Sequence, residues 1–400
     1  VTLQHPLVRS SYAALLDLHP LNEHGEPSAY VILKRRFEVK AGACIPIAPE
    51  PLLHDFNDPS AEPRLHPGTD FWPYKTLTDV VVEGSAHPNK PDQREMTTTL
   101  RVGKVEKRIR VLGKRTARMR DGKVVFSESE PLTPVTLDFT NAYGGIAPNV
   151  VPVGPTSIPQ ALSALLGMDH PGAYPRNPFG KGYAVGELHA DEIELPQLED
   201  PDDLLTPERL LVTEPAHWWK QPLPWSLGWV AARMFPRFVH FAGTDEDWFP
   251  APADELLAEV RRGLLGKGFR DGPRSVREAF YQEASLGLSL QQLTQGAPIS
   301  LEGARPEGER LALTLPAPPK LTVEIATTRE AVKPALHSLI LRPEANELCL
   351  VYGAVMKLPR RFIPGIHKKI PIALSVDGDE PIRYVTPPTI HDQLVAAGLR

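Results

Sequence analysis

Proline constrains this chain more than any other residue. It fills 44 of 400 positions, about twice its usual share of ~5%. Each interior proline removes a helical hydrogen bond and its ring clashes with the carbonyl one turn back, so long helices cannot dominate. Edge strands, turns and irregular loops tolerate it. The proline-dense stretch 148–252 is therefore expected to run as irregular loop along the surface. A core must come from strands, and a hydrophobic share of 42% supplies ample material for one large domain or two smaller ones.

Strand signals are clear at both ends. Across residues 30–39 the odd positions Val31, Leu33, Phe37 and Val39 form an apolar row broken only by Arg35, the period-two pattern of a half-buried strand. The apolar parity flips between Leu100, Val102 and Val105, Ile109, Val111, which predicts a turn or bulge at Gly103-Lys104. Asp121-Gly122 is a favoured hairpin pair. Residues 336–341 and 347–358 flank a turn at 343–346, and 348–356, apolar on both faces, reads as a central strand.

Helices are expected to be few and short. Ser275 and Glu278 have capping-box spacing and open a helix to Ala284. Leu256, Leu257, Val260 and Leu264 share one face of a helix over 253–265, and shorter ones fit 159–166 and 391–399. The expected fold is mainly β, with antiparallel sheets in a sandwich-like arrangement. Its parts are a β-rich segment 1–147, a Pro/Trp-rich insertion 148–252, a helical connection and second β-rich segment 253–365, and an extension 366–400.

Lys and Arg number 44 against 49 Asp and Glu, a net charge of −5. That balance argues against nucleic acid or an anionic membrane as a partner. The basic run 104–120 is punctuated by Val105, Ile109, Val111 and Met119, which reads as one exposed strand face. Cys44 and Cys349 lie in apolar surroundings and fit buried, reduced thiols. No signal-like segment and no run near ~18 apolar residues occurs, so a cytoplasmic location is expected.

Catalytic patterns are scarce. Residues 180–186 (GKGYAVG) and 266–272 (GKGFRDG) each hold one residue too many for a dinucleotide fingerprint, and read as turn glycines. No G-x-S-x-G elbow and no H-x-x-x-H pair occurs. Glu187, His189 and Asp191 would share a strand face, but a solvated loop explains them better. A glycosidase-type carboxylate pair is defined in space and leaves no sequence trace. No catalytic, cofactor-binding or metal residue is assigned, and no cofactor is expected.

Two stretches carry a family signal: 77–115 (LTDVVVEGSAHPNKPDQREMTTTLRVGKVEKRIRVLGKR) and 129–146 (SEPLTPVTLDFTNAYGGI). With 28–39 (SAYVILKRRFEV), 176–183 (RNPFGKGY), 195–201 (LPQLEDP) and 241–248 (FAGTDEDW), the chain resembles domain-of-unknown-function family 2169. Tyr143 stands where that family usually has Phe, and 280–284 (FYQEA) replaces a more usual Phe-Asn-x-Ala-Pro sequence. The resemblance implies a bacterial, non-enzymatic adaptor or chaperone for type VI secretion. Its client would be an effector with a PAAR-like spike-tip domain, and the spike protein is a further partner. A β-scaffold hydrolase and a structural component of the apparatus are the alternatives.

Two local expectations complete the reading. Asn141, Tyr143, Gly144 and Gly145 form a structural turn with one glycine at positive φ and Tyr143 buried beneath. Trp218, Trp219, Trp225 and Trp229, clustered in the insertion, are candidate partner-binding anchors, since large aromatics carry much interface energy. At least one of them should be exposed.

Overall fold

The computed structural model describes residues 7–8, 12–19, 28–53, 70, 75–147, 172–186, 188, 192–212, 221–231, 234, 237, 281–291, 293–325, 328–357 and 372–384. The expected helices at 159–166, 253–265 and 391–399, and the acidic cluster of Glu187, His189 and Asp191, lie outside them. Of the helix expected up to Ala284, Tyr281 is helical and the next three residues have left it.

The chain is mainly β. Its largest sheet comprises β1 (Leu7–Val8), β2 (Ala13–His19), β3 (Ser28–Lys40), β4 (Ala43–Ile47), β5 (Thr78–Val82), β18 (Ser289–Leu290), β23 (Ala335–Arg342) and β24 (Glu347–Lys357). The order is β1-β2-β3-β24-β23-β5-β18, with β4 also beside β3. The two β-rich ends of the chain thus share one sheet. Pairing is antiparallel except between β5 and β23. The connection between those two strands is long, as parallel neighbours require.

A five-stranded sheet holds β7 (Glu95–Val102), β8 (Val105–Leu112), β16 (Leu198–Glu199), β19 (Pro298–Glu302) and β20 (Leu311–Thr314), in the order β16-β8-β7-β19-β20. A four-stranded one holds β21 (Leu321–Ile325), β22 (Thr328–Val332), β25 (Ile372–Val376) and β26 (Ile382–Tyr384). Val31, Leu33 and Leu350 of the first sheet, Leu100, Ile109 and Leu301 of the second, and Val323 and Leu374 of the third belong to one buried core. Smaller pieces are β9 (Thr116–Arg120) with β10 (Lys123–Phe126) and β15 (Ile193–Glu194); β6 (Ser85–Ala86) with β11 (Val135–Thr136); β12 (Tyr143–Gly144) with β13 (Lys181–Gly182); and β14 (Ala184–Val185) with β17 (Leu211–Val212). One short helix, α1 (Pro207–Leu210), and a 3-10 turn at Phe139–Asn141 complete the described elements.

Turn chemistry places the hairpins where the sequence puts them. Val102 faces Val105 across Gly103-Lys104, with Gly103 at φ +58°, so the parity flip is a two-residue turn. Asp121 and Gly122 both have positive φ, the primed-turn signature that matches strand twist. β24 is central, as expected, because its two sides both face apolar surroundings. Leu350 and Tyr352 point into the main core, while Val351 joins Ala13, Ile32 and Leu52 behind the sheet.

Two expectations need correction. β3 is not half-buried: residues 28–34 are buried on both faces, Lys34 included, and alternation starts only after Arg35. The reason is the second layer behind the sheet, where Leu52 and a set of carboxylates cover the far side. Nor is the described part of the insertion simply surface loop. Its backbone adds β13 through β17 to other strands, and Tyr174, Asn177 and Leu210 are fully buried.

Proline also finishes an edge. Lys40 pairs with Ala43 across a two-residue turn, so Ala43, Ile45 and Ile47 make the ladder bonds and Cys44 and Pro46 face outward. A missing N–H costs nothing at such a position and denies a stray strand one donor.

Candidate functional site

The signature motifs meet in a tight knot. Gly144 and Gly145 sit at φ +149° and +102°. A Cβ on Gly144 would lie 2.1 Å from the Asn177 carbonyl oxygen, and one on Gly145 2.5 Å from that of Gly180. Asn177 donates from Nδ2 to the carbonyls of Phe139 (2.7 Å) and Tyr143 (3.0 Å), and its own carbonyl accepts from the Gly145 N–H (2.8 Å). Asn141 donates to the Thr136 hydroxyl at 2.7 Å. Tyr143 is buried edge-on against Tyr174, ring centroids 5.3 Å apart, and its hydroxyl donates to Gln221 Oε1 at 3.1 Å. Burial pushes its pKa well above the usual value. The hydroxyl that distinguishes it from Phe therefore has a partner in the insertion, and the turn is structural, as expected.

The tryptophans divide. Trp218 and Trp219 lie outside the described residues. Trp225 and Trp229 are only 9% and 6% exposed, which corrects the expectation that they offer a surface to a partner. Trp225 Nε1 donates to the Arg108 carbonyl (2.7 Å) and Trp229 Nε1 to Glu83 Oε1 (2.8 Å), so each indole is held at both its apolar body and its polar tip.

Under Trp225 sits a lysine the sequence reading missed. Lys107 Nζ lies 4.1 Å from the indole centroid and donates to Ser285 Oγ and the Leu286 carbonyl, both at 2.8 Å. Burial pushes its pKa down to about 7, against the opposing charge of Asp200. The basic run is thus two-faced. Glu106, Arg108 and Arg110 point outward, whereas Lys107 points in with Ile109 and Val111. Period two placed Lys107 on the inner row, and its charge obscured that signal. The outward arginines are neutralised locally: Arg101 by Glu106 and Glu302 (both 2.8 Å), Arg110 by Glu95 (2.6 Å) and Arg115 by Glu199 (2.5 Å).

The largest cluster of ionisable groups lies behind the main sheet. Lys34, Val351, Ser338, Asp79 and Ser289 are successive cross-strand partners and so share one face. Asp79 accepts from Ser289 Oγ (2.7 Å), the Glu283 N–H (2.6 Å) and Lys75 Nζ (2.6 Å). Lys75 also reaches Glu283 (2.9 Å) and Ser338 Oγ (3.2 Å), while Arg237 meets Glu283 at 3.3 Å. Two cations and two carboxylates balance within a shell that water does not enter. Burial works against the Lys75 ammonium, but Asp79 and Glu283 outweigh it and raise its pKa; at Glu283 burial wins and raises the carboxyl.

Next to them His337 occupies a bulge in β23, its ring seated on Gly353 of β24. Burial, then the Lys75 charge, pushes its pKa down to about 3, and its Nδ1 has no hydrogen-bond partner among the described residues. Farther along the same face, Lys34 pairs with Glu50 (2.8 Å) and Asp70 (3.0 Å), and Arg342 with Glu50 (2.6 Å) and Glu83 (2.7 Å). Burial opposes the Glu50 carboxylate, yet Arg342 and Lys34 hold it down to about 2. These groups are drawn from sequence positions hundreds of residues apart. Only charges set against apolar runs, Lys34 at the end of VIL and Asp79 within TDVVV, hinted at them.

Cys349 is buried and Cys44 half-buried, and both are free. Among the described residues no group of three or more His, Cys, Asp or Glu could hold a metal ion, and no helix is long and apolar enough to cross a membrane.

One outward-facing feature with apolar content is the β9–β10 hairpin. Met119 and Val125 on it are 41% and 37% exposed, among only five large hydrophobic side chains so exposed in the described residues.

No curated protein and no solved structure matches the chain. A family model does, over residues 24–353, which take in the shared sheet from β3 to most of β24, the glycine knot and the buried charge layer. By that match the chain belongs to the family described as an uncharacterized protein conserved in bacteria (DUF2169).

Proposed function

We propose that the chain is a non-enzymatic adaptor or chaperone that binds another protein. In the form implied by its resemblance, it holds an effector through a PAAR-like tip domain or the domain adjoining it and helps load that effector on a type VI spike. The observation that carries this reading is the β9–β10 hairpin, where Met119 and Val125 stand in solvent on a sheet whose outer strand, β10, has no strand paired on its far side among the described residues. Exposed apolar side chains on a sheet rim suit contact with a protein surface. The buried charge layer supports the non-enzymatic part of this reading, because its carboxylates are engaged by cations and amides.

Affinity purification of the full chain from its bacterial host, followed by mass spectrometry, tests this. The expected result is stoichiometric enrichment of a protein bearing a spike-tip domain. Recovery of the chain alone, while the genes beside its own are expressed, overturns it.

A further inference from the structure

We propose that β10 is a docking edge that accepts an extended client segment as an added strand, and that this segment alternates apolar with acidic residues. The proposal rests on the adaptor reading and specifies its contact.

Hydrogen-bond parity shows which groups are free. Arg120 and Lys123 close the two-residue turn, and the Ser127 N–H donates to the Thr116 carbonyl (2.8 Å). Lys123 and Val125 therefore bond to β9, while the N–H and C=O groups of Val124 and Phe126 point away from it. No backbone partner for them occurs among the described residues, and α1, which lies near β10, makes no hydrogen bond to it. Four other edges are closed. β4 carries the outward Pro46, the outward Thr314 carbonyl of β20 meets the Cys44 thiol at 3.7 Å, and β16 is covered by the glycine knot through the Ala142–Leu198 bridge. β22 is guarded by the charged Arg329 and Glu330. β10 instead offers Val-Val-Phe.

The register fixes the chemistry of the occupant. Arg118, Arg120, Lys123 and Val125 share one face of the hairpin, and Ala117, Met119, Val124 and Phe126 the other. Among the described residues Arg118 and Arg120 have acidic neighbours only at 4.0 Å (Glu192) and 3.9 Å (Asp121), the outer limit for an ion pair. A strand laid beside β10 sets its side chains alternately against Lys123 and Val125, with Arg118 and Arg120 one strand further in, and against the apolar Val124 and Phe126. Acidic and β-branched residues in alternation match both rows.

The test is residue-resolved deuterium exchange on the full chain with a short synthetic peptide alternating Glu and Val, and with its Lys-Val counterpart. The Val124 and Phe126 amides are expected to slow by about tenfold or more with the acidic peptide only. Exchange at both amides unchanged, or slowed equally by the Lys-Val peptide, overturns the proposal. Val124→Pro removes an outward N–H that the fold does not use, so it should abolish this peptide binding with the melting temperature kept. Val125→Pro removes a ladder bond and should destabilise. Client capture retained by Val124→Pro overturns the docking edge and leaves the adaptor reading standing. Protected β10 amides in a wild-type chain that captures no client do the reverse.

Discussion

Replacing Gly145 by Val should lower stability by about 3 kcal/mol, and the sum has two separable parts. A β-branched residue at φ +102° is strained, at a cost of roughly 1–3 kcal/mol. The new Cβ would also stand 2.5 Å from the Gly180 carbonyl oxygen and 3.2 Å from its carbon. That carbonyl is backbone and cannot swing aside alone, because β12 and β13 are paired there and Asn177 ties both down. A forced shift adds about 1 kcal/mol or more. Unfolding entropy near ~2.1 cal/mol/K per residue over 400 residues is roughly 0.8 kcal/mol/K. A loss of about 3 kcal/mol then lowers Tm by about 4 °C if the chain melts as one unit. Gly122→Val is the matched reference, with φ +74° and nothing within 4 Å of its Cβ. It carries the strain alone, so differential scanning calorimetry should show the smaller drop. Equal drops for the two variants, or an unchanged Tm for Gly145→Val, would refute the reasoning.

The buried Lys107 should give stability a slope with pH. Its folded pKa is pushed to about 7, below an unfolded value near ~10.4. The unfolded chain holds the extra proton between these values, so stability rises with pH across that window, by at most ~1.4 kcal/mol per unit, and gains no slope below it. Urea midpoints of the wild type and Lys107→Met, compared at several values from neutral to alkaline pH, should diverge accordingly; a constant offset would show that the lysine is not depressed. At the bulge, Gly353→Ala puts a Cβ 1.9 Å from His337 Cε1, for an expected loss of about 2 kcal/mol or more that His337→Ala largely restores. Strict additivity of the two substitutions would mean that the ring does not rest on Gly353.

How much of this was legible depended on which physical rule was local. Turns at Gly103, Asp121-Gly122 and Asn346 were readable because positive φ selects glycine, Asn or Asp. The glycine knot was readable for the same reason, although its partner Asn177 was not, since contact between residues 139–145 and 176–182 leaves no periodic trace. Burial of β24 on both faces followed from its unbroken apolar run. The same inference failed at β3, where Lys34 and Arg36 made one face look solvated. Trp225 and Trp229 misled differently. An indole ring reads identically as core or anchor, and only the Arg108 carbonyl and Glu83 carboxylate waiting for Nε1 decide between them.

The charges that hid β3 also resolve an ambiguity its apolar residues cannot. Where one face is polar, a one-residue slip exposes the core row and is rejected. Residues 28–33 of β3 and 348–354 of β24 are buried on both faces, so hydrophobicity barely distinguishes one register from the next. Lys34 does. In the observed pairing it lies opposite Val351, within reach of Glu50 and Asp70. Turned by one residue, it would enter the main core where Leu33 now packs, and an unpaired buried ammonium costs several kcal/mol. Asp79 imposes the same restriction on β5, since only one facing brings it to Lys75, Ser289 and the Glu283 amide together. β5 and β23 pair in parallel and far apart in sequence, the arrangement least helped by a short hairpin turn. The buried charges thus stand where turn chemistry and apolar alternation both run out. The β9–β10 hairpin has a tight turn and an apolar row of its own, and it holds register without them, its outer amides unpaired among the described residues.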